Sequence, residues 1–210
     1  MKEKSFINNL NWRYAVKNFD SSKNIKPEDL DKILYAIKLT PTSFGLQPYH
    51  VYVISDKETK EKIKKHSYNQ KQITDCNYLL VFCAKSDVQK RTGEYIKLAN
   101  KDKILDEKAK MKAFETMVRG FFATRMTSGF ALNWAQKQTY LALGFALAAC
   151  SELKIDSCPM EGFLPKKVDK DLGLDKNTKS TVLLAVGTRK NEPKKPKIRF
   201  NEEELFTHIS

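Results

Sequence analysis

The run Tyr78 to Ala84, Tyr-Leu-Leu-Val-Phe-Cys-Ala, contains no charged residue and no turn former. A segment this short reads as a strand, and because neither its odd nor its even positions suit water, it is predicted to be buried on both faces. Thr181-Val182-Leu183-Leu184-Ala185-Val186, within Ser180 to Gly187, makes the same demand. A doubly buried strand needs a layer of structure above it and another below, which constrains the architecture more than any other feature of the chain. Phe130 to Cys150 offers one such layer. It is apolar almost all round a helical period, which predicts a central helix between other elements or across a subunit interface.

The remaining elements follow from spacing and punctuation. Ser5 to Trp12 reads as a short helix with Phe6, Ile7 and Leu10 on one side. Pro27, Glu28 and Asp29 open a second helix, continued at Leu30, Ile33, Leu34 and Ile37 until Pro41 stops it. Val51 to Ser55 reads as a strand, Lys57 to Lys65 as a basic helix, and Arg91 to Gly129 as two helices. Asp156 to Phe163 reads as a strand and turn, Pro165 to Gly173 as a short helix, and the tail from Lys194 as leaving the body. Three or four buried strands among many helices, with no GxGxxG after the first, predict an α+β layered fold and argue against a Rossmann unit. No repeat or linker divides the chain, so residues 1–210 are expected to form a single domain.

The formal charge is +13, which draws nucleic acid, membrane surfaces or small anions alike. The lysines are spread along the chain without a recognition-helix or stacked-aromatic signature, so neither nucleic acid nor membrane is an expected partner. Four cysteines without CxxC spacing, mostly in apolar runs, predict buried reduced thiols and a reducing, cytoplasmic setting. Three scattered histidines give no metal-ligand spacing, and no metal is expected. The N-terminal residues lack the apolar core of a signal peptide.

Between the second helix and the following strand lies Thr40-Pro41-Thr42-Ser43-Phe44-Gly45-Leu46-Gln47-Pro48-Tyr49. Two prolines forbid a helix, a glycine permits unusual dihedrals, and two hydroxyls and an amide offer short hydrogen-bonding arms. A helix-to-strand loop would account for it. The stretch also resembles the Pro-Ser-Ser-x-x-x-Gln-Pro-Trp loop of the FMN-dependent nitroreductase family, with Thr42 for the first serine and Tyr49 for tryptophan. In that family the loop lies against the flavin, which implicates Pro41, Thr42, Ser43 and Gln47.

Four further segments match in the same order. Arg13-Tyr14-Ala15-Val16-Lys17 resembles the family's Arg-x-Ser-x-Lys. The resemblance gives Arg13 the cofactor phosphate and Lys17 the pyrimidine edge of the flavin, with Ala15 in place of serine. A guanidinium suits a phosphate, and a cation near N1 and O2 stabilises the charge gathered on reduction. Asn69 matches the asparagine that bonds the flavin's pyrimidine carbonyl, while Gln72 stands where a second lysine is usual, as a neutral donor. Pro159-Met160-Glu161-Gly162-Phe163 matches Pro-x-Glu-Gly-Phe, in which the backbone of Glu161 and Gly162 would face the flavin. Lys197-Ile198-Arg199 is similar to the C-terminal Lys-x-Arg that closes on the phosphate.

Phe122 resembles one of a phenylalanine pair over the active site, and Phe44 replaces a small polar residue of the key loop. Both are candidate substrate-binding residues, although core packing accounts for either one equally well. The resemblance implies a three-layer nitroreductase-like fold with a mostly antiparallel central sheet flanked by helices, in a domain-swapped homodimer. It also implies FMN as cofactor, NADH or NADPH as co-substrate, and small aromatic acceptors such as nitroaromatics, quinones, pteridines or flavins, reduced by a ping-pong mechanism. No protein group is expected to act as a covalent catalyst. The rival is a basic, non-enzymatic polyanion-binding protein in which the flavin motifs have decayed.

Overall fold

The computed structural model describes residues 6–101, 108–125 and 129–209; Ser5, where the first helix was expected to begin, lies outside them. The first doubly buried run forms β2 (Tyr78–Lys85), between β1 (Tyr49–Ile54) and β4 (Thr178–Gly187). On the far side of β4 lies β3 (Asp156–Met160), so the order is β1-β2-β4-β3, antiparallel throughout. Side chains along β2 alternate as the period of a strand requires. Leu79, Val81 and Cys83 enter one core, and Leu80 and Phe82 enter another.

The first core is closed by α3 (Lys57–Lys65), α4 (Gln72–Asp75) and α8 (Pro165–Asp171) through Ile63, Ile73 and Val168. The second is closed by α2 (Pro27–Lys38) and α7 (Phe130–Glu152) through Ile33, Ile37, Ala142, Leu143 and Ala146. Helix, sheet and helix make the three layers that doubly buried strands call for. α5 (Val88–Lys101) and α6 (Lys108–Ala123) are the two helices expected across Arg91 to Gly129, and they cover a third apolar cluster around Leu46, Val118 and Trp134.

Three details differ from expectation. α7 is not sheathed all round, since Tyr140, Leu141 and Phe145 are 40%, 47% and 39% exposed along one side. Two short helices, α4 and α9 (Glu202–Leu205), and a single 3-10 turn at Ser43–Gly45 were not anticipated. Such pieces carry too few residues for a periodic pattern; of the three, α9 alone has a capping box, the reciprocal Asn201–Glu204 pair. All four cysteines are buried and free, as expected. Among the described residues no helix is long and apolar enough to cross a membrane.

The edge of the sheet at β3 is covered by the chain that follows α1 (Phe6–Trp12). Ala15 bridges Ser157 in parallel, the Val16 N–H donates to the Ser157 carbonyl at 3.2 Å, and Phe19 pairs with Arg189. Arg189 is the pin: its backbone N–H and Nε each donate to a carboxylate oxygen of Asp156 at 2.7 Å, and its guanidinium lies 4.4 Å from the Trp12 ring. Both partners are buried. Removing one charge of such a pair strands the other in a low-dielectric site. Asp156→Ala is therefore expected to cost about 3–5 kcal/mol of unfolding free energy, read by urea denaturation; a loss below about 1 kcal/mol would show that Arg189 does not anchor this edge.

Candidate active site

The covered edge carries Arg13 and Lys17 to the end of β3. Lys17 Nζ reaches Cys158 Sγ at 3.3 Å, one residue before Pro159. The C-terminal tail returns to the same place because Lys197 Nζ donates to the carbonyls of Leu10 and Asn11 at 2.7 and 2.6 Å, satisfying the free acceptors at the end of α1. The result is a cavity of about 550 Å³ lined by Arg13, Tyr14, Ala15, Lys17, Lys197 and Arg199, among others.

The charges in this cavity are of one sign. Arg13 is held below its ordinary pKa by burial and by the neighbouring charge of Arg199, and Lys197 is lowered by burial and then by Arg13 and Arg199. No carboxylate among the described residues pairs with Arg13, Lys17, Lys197 or Arg199. Two of the three Lys197 hydrogens are occupied, so it acts mainly as the clasp that brings Arg199 to Arg13. Burial pushes the Cys158 thiol up despite Lys17 and Arg13 beside it, so it does not supply the missing negative charge.

Pro159, Glu161 and Gly162 continue from β3 into a turn against the connection between α3 and α4. In that connection Tyr68 and Asn69 have φ of 52° and 53°, and the Asn69 N–H closes onto the Lys64 carbonyl at 3.2 Å. Gln70 Nε2 donates to the Gly162 carbonyl at 2.8 Å, and a Cβ on Gly162 would lie 3.1 Å from that same nitrogen. A side chain at 162 would force the Gln70 amide to shift by a few tenths of an ångström. On the other side Tyr140 of α7 donates to Glu161 at 2.5 Å, and burial together with that carboxylate pushes the phenol pKa up to about 12, keeping it a neutral donor.

The loop at 41–47 sits elsewhere. It leads into β1, whereas the Arg13 segment covers the outer side of β3, so the two lie at opposite edges of the four-stranded sheet. The Ser43 N–H donates to Gln138 of α7 at 2.9 Å; the Gln47 N–H donates to the Thr42 hydroxyl at 2.9 Å, and its side chain to the Lys38 carbonyl at 2.7 Å. Phe44 and Gln47 have φ of 58° and 43°. Of the five non-glycine residues with positive φ among the described residues, four thus fall in the two loops that the sequence singled out. Backbone strain of this kind persists where function or packing demands it.

Phe44 and Phe122 are brought together, one on either side of Phe121, each with ring centres 5.1 Å from it. Both are half-buried in the cluster under α5 and α6, and Phe122 also borders cavities of about 250 and 670 Å³. Packing accounts for much of their surface, the alternative that the sequence left open. Gln72 departs further from expectation: it is buried, and its amide donates to Gln70 Oε1 at 2.9 Å. Gln70, Gln138 and Tyr140 were not singled out in advance. A polar residue inside the apolar run 130–150 was the available signal for Gln138; for Gln70 there was none.

A family model described as Nitroreductase family matches residues 10–188. A protein of Staphylococcus epidermidis, provisionally named an NAD(P)H nitroreductase, is 33% identical over 98% of this chain and 97% of its own length. A similarly named protein of Staphylococcus haemolyticus is 34% identical over 99% and 98%. Among solved structures, a protein of Exiguobacterium sibiricum provisionally named a nitroreductase and crystallised in complex with FMN superposes with a TM-score of 0.85 over 100% of this chain and 99% of that one, at 16% identity.

Proposed function

The chain belongs to the nitroreductase family, and from that premise we propose that it is an FMN-dependent oxidoreductase using NADH or NADPH. The observation that carries this is the convergence of Arg13, Lys197 and Arg199 on one cavity with no carboxylate to neutralise them. A phosphate fits that vacancy of charge. Cations gathered in one cavity, rather than dispersed over a face, favour a small anionic ligand over the polyanion of the rival reading.

Bound FMN supplies two-electron chemistry between a reduced nicotinamide and an aromatic acceptor. The chain's own residues hold and tune it. Arg13 and Arg199 take the phosphate, with Lys197 clasping the tail; Tyr14, Ala15 and Asn69 line its approach, and Lys17 adds positive charge beside the ring. Pro159, Glu161 and Gly162 offer backbone groups to it from the turn after β3. No group in the cavity is placed as a nucleophile.

Pro41, Thr42, Ser43 and Gln47 belong to this reading as the second wall. Because they lie at the opposite edge of the same sheet, they complete the site from a second copy. A homodimer is also supported by apolar side chains left uncovered in one chain: Ile198, Phe200, Leu205 and Phe206 of the tail, and Leu141 and Phe145 of α7. Phe44 and Phe122 then border the space that an acceptor enters. Free buried thiols are in keeping with a cytoplasmic setting.

Charge-assisted hydrogen bonds contribute roughly 1.5–3 kcal/mol, so Arg199→Ala is expected to weaken FMN about tenfold or more in a fluorescence titration while leaving riboflavin unaffected. Equal losses for both would contradict a phosphate site. If donor and acceptor take turns in one space, initial-rate plots at several acceptor concentrations will be parallel; intersecting lines would overturn the ping-pong scheme. If each site takes walls from two copies, flavin binding will fall with the dimer fraction on dilution, and a flavin-loaded monomer in sedimentation would refute shared sites.

A further inference from the structure

Gln72 occupies a position that the cofactor reading would give to a group facing the flavin, yet it is buried and bonded to another side chain. Its side chain is 6% exposed, and Nε2 donates to Gln70 Oε1 at 2.9 Å. Gln70 in turn donates from Nε2 to the Gly162 carbonyl at 2.8 Å. The two amides form a directional chain from the start of α4 to the turn after β3.

Direction is the point. A glutamine amide has a donating end and an accepting end of almost the same shape, so packing alone does not decide which end of Gln70 meets Gly162. The Gly162 carbonyl, which can only accept, takes the NH2 of Gln70, and Gln72 reinforces that orientation by donating to the Oε1 left at the other end. A reversed Gln70 would set oxygen against oxygen at Gly162 and nitrogen against nitrogen at Gln72. The backbone of Gln70 is itself fixed, its N–H donating to the Ser67 carbonyl at 3.1 Å and its carbonyl accepting from Ile73 at 3.2 Å. The relay is therefore anchored in the first core through Ile73, not in the mobile reach of a long surface side chain.

We propose that Gln70 and Gln72 are positioning residues whose polarised amide relay sets the orientation of the Glu161–Gly162 backbone presented to the cofactor. This inference rests on the flavin reading above. It assigns Gln72 a role through Gly162 in place of direct contact with the flavin, and it makes Gln70, two positions earlier, its necessary partner. Tyr140 holds the same turn from the opposite side through the Glu161 carboxylate, so the relay fixes the one face of the turn that α7 does not reach.

The test uses the full chain with FMN and three variants. Gln72→Glu keeps the shape and reverses the polarity; Gln72→Met removes the donor; Gln70→Leu removes the relay. The readouts at about pH 9.5, above the range to which burial raises a glutamate, are the FMN dissociation constant, the midpoint potential of the bound flavin, and amide hydrogen exchange across residues 160–164 in FMN-free protein. Q70L and Q72E are expected to weaken FMN about tenfold, to move the potential in the same direction, and to speed exchange; Q72M is expected to do less than Q72E. The Q70L/Q72E double variant should be no worse than Q70L, because both break one chain.

A packing role predicts the reverse order, with isosteric Q72E milder than Q72M, and additive effects. Either result overturns the relay. Should Q70L fail to fold, Q72E and Q72M decide the matter by their order alone. A wild-type chain that takes up no FMN overturns the flavin reading and this inference with it, whereas a wild-type chain that binds FMN and is matched by Q72E in all three readouts overturns the inference alone.

Discussion

An edge strand left open to water is a free template for further pairing, and β3 would be one if the residues after α1 did not lie along it. The bridge from Ala15 to Ser157 and the pairing of Phe19 with Arg189 close that edge. Everything at the cavity depends on this closure. It sets Arg13 and Lys17 beside the end of β3, and it holds the last turn of α1 where Lys197 can cap it. A structural need of the sheet and the assembly of a charged site are met by the same few residues.

The cost of that assembly is electrostatic. Arg13 and Lys197 are both held below their ordinary pKa values by burial and by like charge, which means that the protein alone disfavours the state it presents. An anion relieves the repulsion and restores the missing partner. The contrast with Arg189 is instructive, because that guanidinium, also buried, is matched by Asp156 and raised in pKa. One arginine is part of the scaffold, while Arg13 and Arg199 are the ones that the proposed phosphate site would use.

Two side-chain hydrogen bonds shape the turn after β3. Gln70 on the Gly162 carbonyl and Tyr140 on Glu161 grip it from two elements that belong to different layers of the fold. The loop at 41–47 is gripped likewise, by Gln138 of α7 and by Arg91 of α5, whose Nε donates to the Leu46 carbonyl at 2.7 Å. α7 therefore touches both of the proposed walls that one chain contributes, the loop through Gln138 and the turn after β3 through Tyr140, while Leu141 and Phe145 stay uncovered. A helix placed in this way couples the shape of each wall to whatever covers it.

The sequence by itself determined the doubly buried β2 and β4, and hence the layers, because a strand alternates its side chains and an unbroken apolar run leaves no face for water. It also marked the residues on which the proposed phosphate and flavin site draws: Arg13, Lys17, Asn69, the Glu161–Gly162 pair, Lys197 and Arg199. Only the tertiary structure decided that residues at the two ends of the chain meet, that Lys197 serves chiefly as a helix cap, that Gln72 turns inward to Gln70, and that the loop at 41–47 lies across the sheet from the cavity. Periodicity reports whether a position is wet or dry. It carries no information about which of two equally polar ends of an amide points where, or which distant segment closes an open edge, since those depend on strand order and register and on the shapes that meet there.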